Sequence, residues 1–316
     1  MNLHLPSPVS EINLPLLKEK GIELYLKRDD LIHPVISGNK WRKLKFNIEK
    51  AKKERYHTVL TFGGAFSNHI HATAFAAKEF GLKSIGVIRG HELVGTTRES
   101  PERNDTLKEC AEFGMQLLFV SREEYKRKNE KVFIETLKSK FGDFYLIPEG
   151  GANYEGILGC KEILNEPRVI ESSRNHRSHY DYIGCAAGTG TTLTGLLLSL
   201  REGERLLGFP AFRNGAFVKE EVRRNLETFF PEHIEKINSL DLICDYHFGG
   251  YAKVNDELKN LVAAFFCQTN IQLDLIYNGK MMFGLFDLLK KNHFRKGSRI
   301  LVIHTGGIQG NRGFLG

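Results

Sequence analysis

Cysteine is scarce and scattered. Cys110, Cys160, Cys185, Cys244 and Cys267 are odd in number, widely separated and contain no CxxC pair. That excludes a disulfide framework and a thiolate zinc site, and it fits reduced thiols in a cytoplasmic protein. No apolar run approaches the length of a membrane span, so no membrane partner is expected. The opening residues Met1-Asn2-Leu3-His4-Leu5-Pro6 lack the charged region and long apolar core of a secretory signal. No segment is of low complexity, and no repeat stands out beyond an alternation of strand and helix patterns. The net charge is +7, yet no nucleic-acid recognition motif accompanies it. Basic residues are spread along amphipathic stretches such as 45–55 and 126–140 with acids mixed in, as on solvated faces. Nucleic acid is therefore not an expected partner; an anionic small molecule fits better.

What is present suits an ordinary soluble globular protein. The 316 residues are enough for two domains or one large one, and 41% are hydrophobic and 26% charged. The 31 glycines exceed average usage and gather in short loops between apolar runs. An extended opening to about Leu17 leads to a strand over 22–27. Strands are then expected at 58–62, 84–88, 117–120 and 144–147, alternating with helices at 67–80, 102–113, 130–140 and 154–164. After a polar stretch, 171–179, further strands are expected at 182–186, 205–209, 242–246, 273–277 and 299–304, with an apolar helix over 191–200. His176 and His179 are three apart in that polar stretch, which reads as a surface loop and not as a metal site. Successive βα units imply an α/β fold with parallel sheets and right-handed crossovers. The layout suggests two doubly wound lobes: a small one over 50–160, and a large one combining 1–49 with 161–316. A ligand is expected in the crevice outside the carboxyl ends of the strands.

The stretch Ser37-Gly38-Asn39-Lys40-Trp41-Arg42-Lys43 is the most informative. Trp41, Leu44, Ile48 and Ala51 recur at helical steps, so a helix begins near Asn39 with Lys40 and Lys43 sharing another face. Two cations at the positive end of a helix call for an anion in front of them. A phosphorylated cofactor held by a Schiff base to one lysine meets that need; a solvated basic turn is the alternative.

Three other loops follow strands. Gly188-Thr189-Gly190-Thr191-Thr192 has the glycines and hydroxyls of a phosphate cradle at a helix N-terminus. It lacks the lysine of an ATP loop and the spacing of a dinucleotide fingerprint, and a plain tight turn is the alternative. Ser67-Asn68-His69, after Gly63-Gly64, sets a hydroxyl, an amide and an imidazole beside free backbone donors, suited to a carboxylate; an ordinary helix cap is the alternative. Tyr277 ends an expected strand, where its hydroxyl is an acid, a base or a core-edge group.

In order, Arg28-Asp29-Asp30, Ser37-Gly38-Asn39-Lys40-x-Arg42-Lys43, Gly63-Gly64-x-x-Ser67-Asn68-His69, Pro148-Glu149-Gly150-Gly151-Ala152-Asn153, Gly188-Thr189-Gly190-Thr191, Tyr277-x-Gly279-Lys280 and His304-Thr305-Gly306-Gly307 resemble the pyridoxal-phosphate enzymes that comprise 1-aminocyclopropane-1-carboxylate deaminase and D-cysteine desulfhydrase. The resemblance runs from about residue 20 to 310. It implies the tryptophan synthase β-like fold (fold type II), pyridoxal 5′-phosphate as cofactor, a small amino acid as substrate and a homodimer. It also implies that Lys40 forms the imine with the cofactor and later carries the proton, and that Lys43 and residues 188–192 hold the phosphate. Asn68 is implied at the ring oxygen and, with Ser67 and His69, at the substrate carboxylate. Tyr277 and Tyr251 match the active-site tyrosines, and Thr305 matches the position facing the ring nitrogen.

The sequence departs from the ring-opening members, which carry Glu after the tyrosine and Gln after Ser-Asn; here these are Asn278 and His69. A neutral partner does not hold a proton on the ring, which suits α,β-elimination from D-cysteine, giving pyruvate, ammonia and sulfide. Cyclopropane opening to 2-oxobutyrate and ammonia, or a non-catalytic cofactor carrier, are the alternatives.

Overall fold

Alternating apolar strands and amphipathic helices build two sheets in the computed structural model, which describes residues 1–90, 104–168 and 179–314. The first half of the chain runs β1 (Val9–Ile12), α1 (Pro15–Lys20), β2 (Glu23–Lys27), α2 (Asn39–Lys53), β3 (Thr58–Gly64), α3 (Asn68–Glu79), β4 (Lys83–Arg89), α4 (Asp105–Glu112), β5 (Met115–Val120), α5 (Arg122–Lys126), α6 (Lys131–Phe141), β6 (Tyr145–Ile147) and α7 (Tyr154–Asn165). The second runs β7 (Tyr182–Ala187), α8 (Thr191–Leu198), β8 (Arg205–Pro210), α9 (Phe217–Phe229), β9 (Leu240–Leu242), α10 (Asp256–Thr269), α11 (Asn278–Lys290) and β10 (Arg299–Ile303). One sheet has the order β5-β4-β3-β6 and is wholly parallel. The other has the order β1-β2-β10-β7-β8-β9 and is parallel except at its edge, where β1 runs against β2. The α/β architecture with parallel sheets is thus the one expected from the sequence.

Helix α2 shows why the apolar rhythm matters. Its stripe of Trp41, Leu44, Ile48 and Ala51 is buried against Val59, Ala72, Ala76, Tyr145 and Ile147, so the helix packs on the four-stranded sheet. Its opposite side leans on α7, where Gly159 meets the Arg42 carbonyl so closely that a Cβ has no room. Arg42 itself is 1% exposed and lies at the centre of a buried ion network. Its guanidinium donates to Asp29 at 2.9 and 3.0 Å and to Glu166 at 2.5 Å. Lys27 donates to Glu166 at 2.8 Å and to the Ser7 carbonyl at 2.6 Å, and the Ser7 hydroxyl donates to Asp29 at 2.6 Å. The network fastens the lysine-bearing helix to the N-terminal segment, to β2 and to the end of α7.

Several elements differ from the sequence expectation. The opening is not extended throughout: α1 intervenes, started by Pro15 and ended by Gly21 in the left-handed conformation. The strand expected over 242–246 lies earlier, at β9, and stops at Leu242, opposite Gly208. Two residues further along β8 stands Pro210, which has no N–H to extend the ladder. The strand expected over 273–277 does not form. Asp274 captures the backbone N–H groups of Ile276, Tyr277 and Asn278 at 3.0, 2.6 and 2.9 Å and turns the chain into α11. Leu273 and Ile276 are apolar because they are buried, not because they are paired in a sheet. Of the polar stretch 171–179, only His179 lies within the described residues. Among those residues no helix is long and apolar enough to cross a membrane, and no group of three or more His, Cys, Asp or Glu is placed to hold a metal.

Candidate active site

The carboxyl ends of β3, β4, β7, β8 and β10 open on one cavity of about 800 Å³, lined by Arg89 at the end of β4 and by residues that follow the other four strands. That is where open parallel sheets present loops and helix N-termini to a ligand.

Lys40 and Lys43 stand on the cavity wall in the first two turns of α2. No side chain caps this helix and no acid occupies its first turn, so both cations face an uncompensated positive helix end. The start is fixed by Gly38, at φ 62°, where a Cβ would run into the Thr305 carbonyl. The Lys40 ammonium donates to Asn39 Oδ1 at 2.7 Å, and the Asn39 amide in turn donates to Thr192 Oγ1 at 3.0 Å. Asn39 therefore links the lysine to the first turn of α8. Burial, reinforced by the charge of Lys43, pushes the Lys40 pKa down to about 7. Burial also lowers that of Lys43, which is 5% exposed. A lysine with a pKa of about 7 is half neutral at neutral pH, and only the neutral amine attacks a carbonyl. The attachment rate of an aldehyde at Lys40 is therefore expected to rise about tenfold between pH 6 and pH 8 and then level off. Stopped-flow absorbance against pH checks this; a rate still climbing at pH 10 would refute it.

Facing the lysines is the first turn of α8. Gly188, Thr189, Gly190 and Thr192 line the cavity, and Gly190 caps the helix without a side-chain acceptor. Its leading N–H groups are left for a ligand. Thr191 is not on the wall; its hydroxyl turns aside to Thr189 at 2.9 Å and it is 1% exposed.

The third side is the turn between β3 and α3. Ser67 caps α3, accepting from the backbone N–H groups of His69 and Ile70 at 3.3 Å each, and its own proton remains to be donated. Ser67, Asn68 and His69 all reach the cavity. Asn68 donates to the Gly307 carbonyl at 3.4 Å, while its buried Oδ1 has no partner among the described residues. His69 differs from the sequence picture of an imidazole that grips an anion. Its Nε2 lies 2.8 Å from Thr61 Oγ1, and the one Thr61 proton goes to the Ile147 carbonyl, also at 2.8 Å. With the Thr61 proton so engaged, the tautomer that makes both bonds is the one in which Nε2 donates. Burial and the two lysine charges push the ring's pKa down to about 3, so it is neutral and Nδ1 carries a bare lone pair. That nitrogen accepts; it has no proton to give a carboxylate.

The remaining wall carries Tyr251, Tyr277 and Thr305. Burial, with Tyr251 next in effect, raises the Tyr277 pKa well above its ordinary value, so its hydroxyl stays protonated and donates. Asn278 stands behind Thr305 and off the cavity wall. Its amide donates to Asp274 at 2.5 Å and to the Gly306 carbonyl at 2.9 Å, and its oxygen accepts from the Thr305 N–H and hydroxyl at 3.1 and 3.2 Å. Every polar atom of Asn278 is engaged within the protein. Sequence reasoning did not single out Asn39, Arg89, Glu149 or Phe212 as wall residues. Asn39 and Glu149 lie inside motifs of the resemblance; Arg89 and Phe212 carry no local signal, since only the meeting of the two sheets brings them to the cavity.

Comparison with known proteins follows the same outline. The sequence pattern of the family described as pyridoxal-phosphate dependent enzyme matches residues 3–306. A Pyrococcus horikoshii protein, provisionally named 1-aminocyclopropane-1-carboxylate deaminase, is 33% identical over 93% of this chain and 87% of its own. The bifunctional D-cysteine desulfhydrase/1-aminocyclopropane-1-carboxylate deaminase of Arabidopsis thaliana, a mitochondrial protein, is 32% identical over 97% of this chain and 77% of its own. The crystal structure of an ACC deaminase homologue, 32% identical, covers 98% of this chain and 92% of that one with a TM-score of 0.78.

Proposed function

Since the chain belongs to the pyridoxal-phosphate-dependent enzymes, we propose that it eliminates the β-substituent of a small D-amino acid, with D-cysteine the preferred substrate. The residues fit the cofactor on three counts. A half-buried Lys40 and a buried Lys43 face the cavity, and among the described residues no carboxylate bonds to either ammonium. An uncapped helix start built from Gly188, Thr189, Gly190 and Thr192 stands opposite them. The buried, unpartnered Asn68 Oδ1 awaits a donor such as the ring hydroxyl. In this reading Lys40 is the attachment point, Lys43 and the α8 turn hold the phosphate, and Asn68 takes the ring oxygen.

When bound, pyridoxal phosphate supplies an electron-withdrawing ring that drains negative charge from the substrate's Cα. The protein's own tasks are orientation and proton handling. Ser67 Oγ and the N-terminus of α3 receive the substrate carboxylate. Lys40, with its pKa near 7, removes the Cα proton. Tyr277, kept protonated, donates a hydrogen bond to the departing sulfur. The balance is D-cysteine plus water to pyruvate, ammonia and hydrogen sulfide.

Elimination is favoured over ring opening by the wall at Thr305. The resemblance sets this residue against the ring nitrogen, and it offers a neutral oxygen already bonded to Asn278. Among the described residues the carboxylate on the wall is Glu149, on the side of the four-stranded sheet and ion-paired with Lys128 at 3.4 Å. No charge partner therefore holds a proton at the ring nitrogen. Neutral His69, with a lone pair only, likewise accepts from a thiol S–H better than it binds a second anion. A homodimer, carried by the resemblance, completes the reading.

The test is a turnover panel of small D- and L-amino acids and 1-aminocyclopropane-1-carboxylate, reading ketoacid and sulfide. Pyruvate with equimolar sulfide from D-cysteine is expected. Turnover of the cyclopropane acid alone, giving 2-oxobutyrate, would replace elimination by ring opening.

A further inference from the structure

Lys280 is a lysine for which the site as described has no use, and its surroundings are unusual. It occupies the first turn of α11, where the helix end disfavours a cation, and it is 2% exposed. Among the described residues no carboxylate bonds to it. Its ammonium donates instead to two backbone carbonyls, His247 at 3.0 Å and Gly250 at 2.8 Å. Burial lowers its pKa to about 8, with the charge of Asp274 acting the other way.

Those two carbonyls belong to His247-Phe248-Gly249-Gly250-Tyr251-Ala252, the segment that carries Tyr251 to the cavity. Its backbone is not one the sequence adopts willingly. Phe248 and Ala252, neither a glycine, lie at φ 55°, and Gly249 and Gly250 at φ 91° and 133°. Left-handed non-glycine residues persist only where the surroundings impose them. Ring contacts help: Phe248 meets Phe283 edge-on with centroids 4.8 Å apart, and Tyr251 stacks on Phe212 at 5.6 Å. Yet Tyr251 remains 45% exposed, and its ring meets Tyr277 edge-on at 6.0 Å. A half-exposed ring on a strained segment needs a fixed base, and among the described residues the hydrogen bonds that reach this segment from the large sheet's helices are those of Lys280.

We propose that Lys280 is a positioning residue for the reaction: by clasping the His247 and Gly250 carbonyls it holds Tyr251 against Tyr277 on the cavity wall. The inference rests on the proposed reaction only for its kinetic consequence; the clasp itself is a property of the chain. Charge-assisted bonds of a buried ammonium to two carbonyls are among the stronger neutral-partner contacts, and α11 presents them from a rigid helix start.

The experiment compares wild-type holoenzyme with Lys280→Met and with Lys280→Gln, which keeps donors on a shorter arm. Amide hydrogen exchange over residues 248–252 is expected to quicken roughly 10- to 100-fold in Lys280→Met, with exchange in α2 and α8 and the bound-cofactor absorbance unchanged. For D-cysteine turnover, kcat/KM is expected to fall roughly tenfold or more, with partial recovery in Lys280→Gln. In a Tyr251→Ala background the same Lys280→Met change is expected to alter kcat/KM less than about twofold, because its effect passes through Tyr251. Unchanged exchange over 248–252, or an additive loss in the double variant, overturns the proposal. So does failure of both variants to fold, which makes Lys280 a stability element. If wild type does not turn over D-cysteine, the proposed substrate is wrong and the exchange comparison still decides the clasp.

Discussion

Lys40→Ala is expected to yield a folded protein that no longer retains pyridoxal phosphate through gel filtration and turns over D-cysteine roughly 10³-fold more slowly or worse. Folding is expected to survive because Lys40 is a wall residue whose one side-chain bond among the described residues is to its neighbour Asn39. Removing the ammonium also relieves repulsion with Lys43, whose charge disfavours the charged form of Lys40. Alanine is a better helix former than lysine in any case. What disappears is the nucleophile. The phosphate contacts of the α8 turn and Lys43 remain, so excess cofactor still binds, reversibly and without the absorbance of a covalently attached ring. Spectra before and after desalting separate the two states. A wild-type protein that stays colourless after incubation with the cofactor removes the basis of the whole assignment. Retained colour in Lys40→Ala would move the attachment point to Lys43, the other lysine on the same wall.

The largest loss of stability is expected from Arg42→Met. Arg42 and Lys27 balance Asp29 and Glu166 in a network where Arg42, Lys27 and Asp29 are almost fully buried. Methionine fills much of the volume but leaves Asp29 without its bidentate partner and one negative charge uncompensated. Breaking a buried ion pair from one side costs about 3–5 kcal/mol. Urea unfolding followed by circular dichroism reads this directly; a shift worth under about 1 kcal/mol would show the network to be energetically neutral. Lysine is not expected to rescue, because one ammonium does not reach both carboxylates in the planar geometry of the guanidinium.

The pH dependence supplies a second reading. Burial acts to raise the Glu166 pKa, but bonds from Arg42 and Lys27 overcome it and hold the carboxyl at about 2. A folded-state pKa below the unfolded value means stability that is fully present above about 4.5 and lost as pH falls through 2. Wild type is therefore expected to lose this contribution between pH 4.5 and 2, and Arg42→Met to show a flatter acid limb. The functional consequence reaches the site through α2. Its first turn carries Lys40, and the network ties that turn to segments 13 and 124 residues away from Arg42.

Much of the architecture was legible because it is written in local periods. The helix starting at Asn39, the strands β3, β4 and β7, and the helix after the 188–192 turn all follow from apolar spacing and from glycines placed at chain reversals. The parallel sheets follow from the βα alternation, since parallel neighbours need a crossover. The apolar residues at 273–277 misled for a physical reason: burial and strand pairing leave the same mark on a short run. The deciding group was a side chain, Asp274, whose carboxylate outbid the sheet for three backbone donors.

The chain's linear order by itself determined which loops lie at strand ends and which residue types they bring: paired lysines, a glycine-threonine turn and a serine-asparagine cap, each a few residues long and needing no distant partner. Only the tertiary structure decided what each polar atom is free to do. His69 is a proton acceptor because Thr61 and Ile147 dictate where its one proton sits. Asn278 is withdrawn from the cavity because Asp274, Gly306 and Thr305 take all its bonds. Lys280 serves a loop 30 residues upstream. Hydrogen-bond capacity is finite and shared across the fold, so the role of a polar side chain depends on partners that neighbouring sequence does not contain.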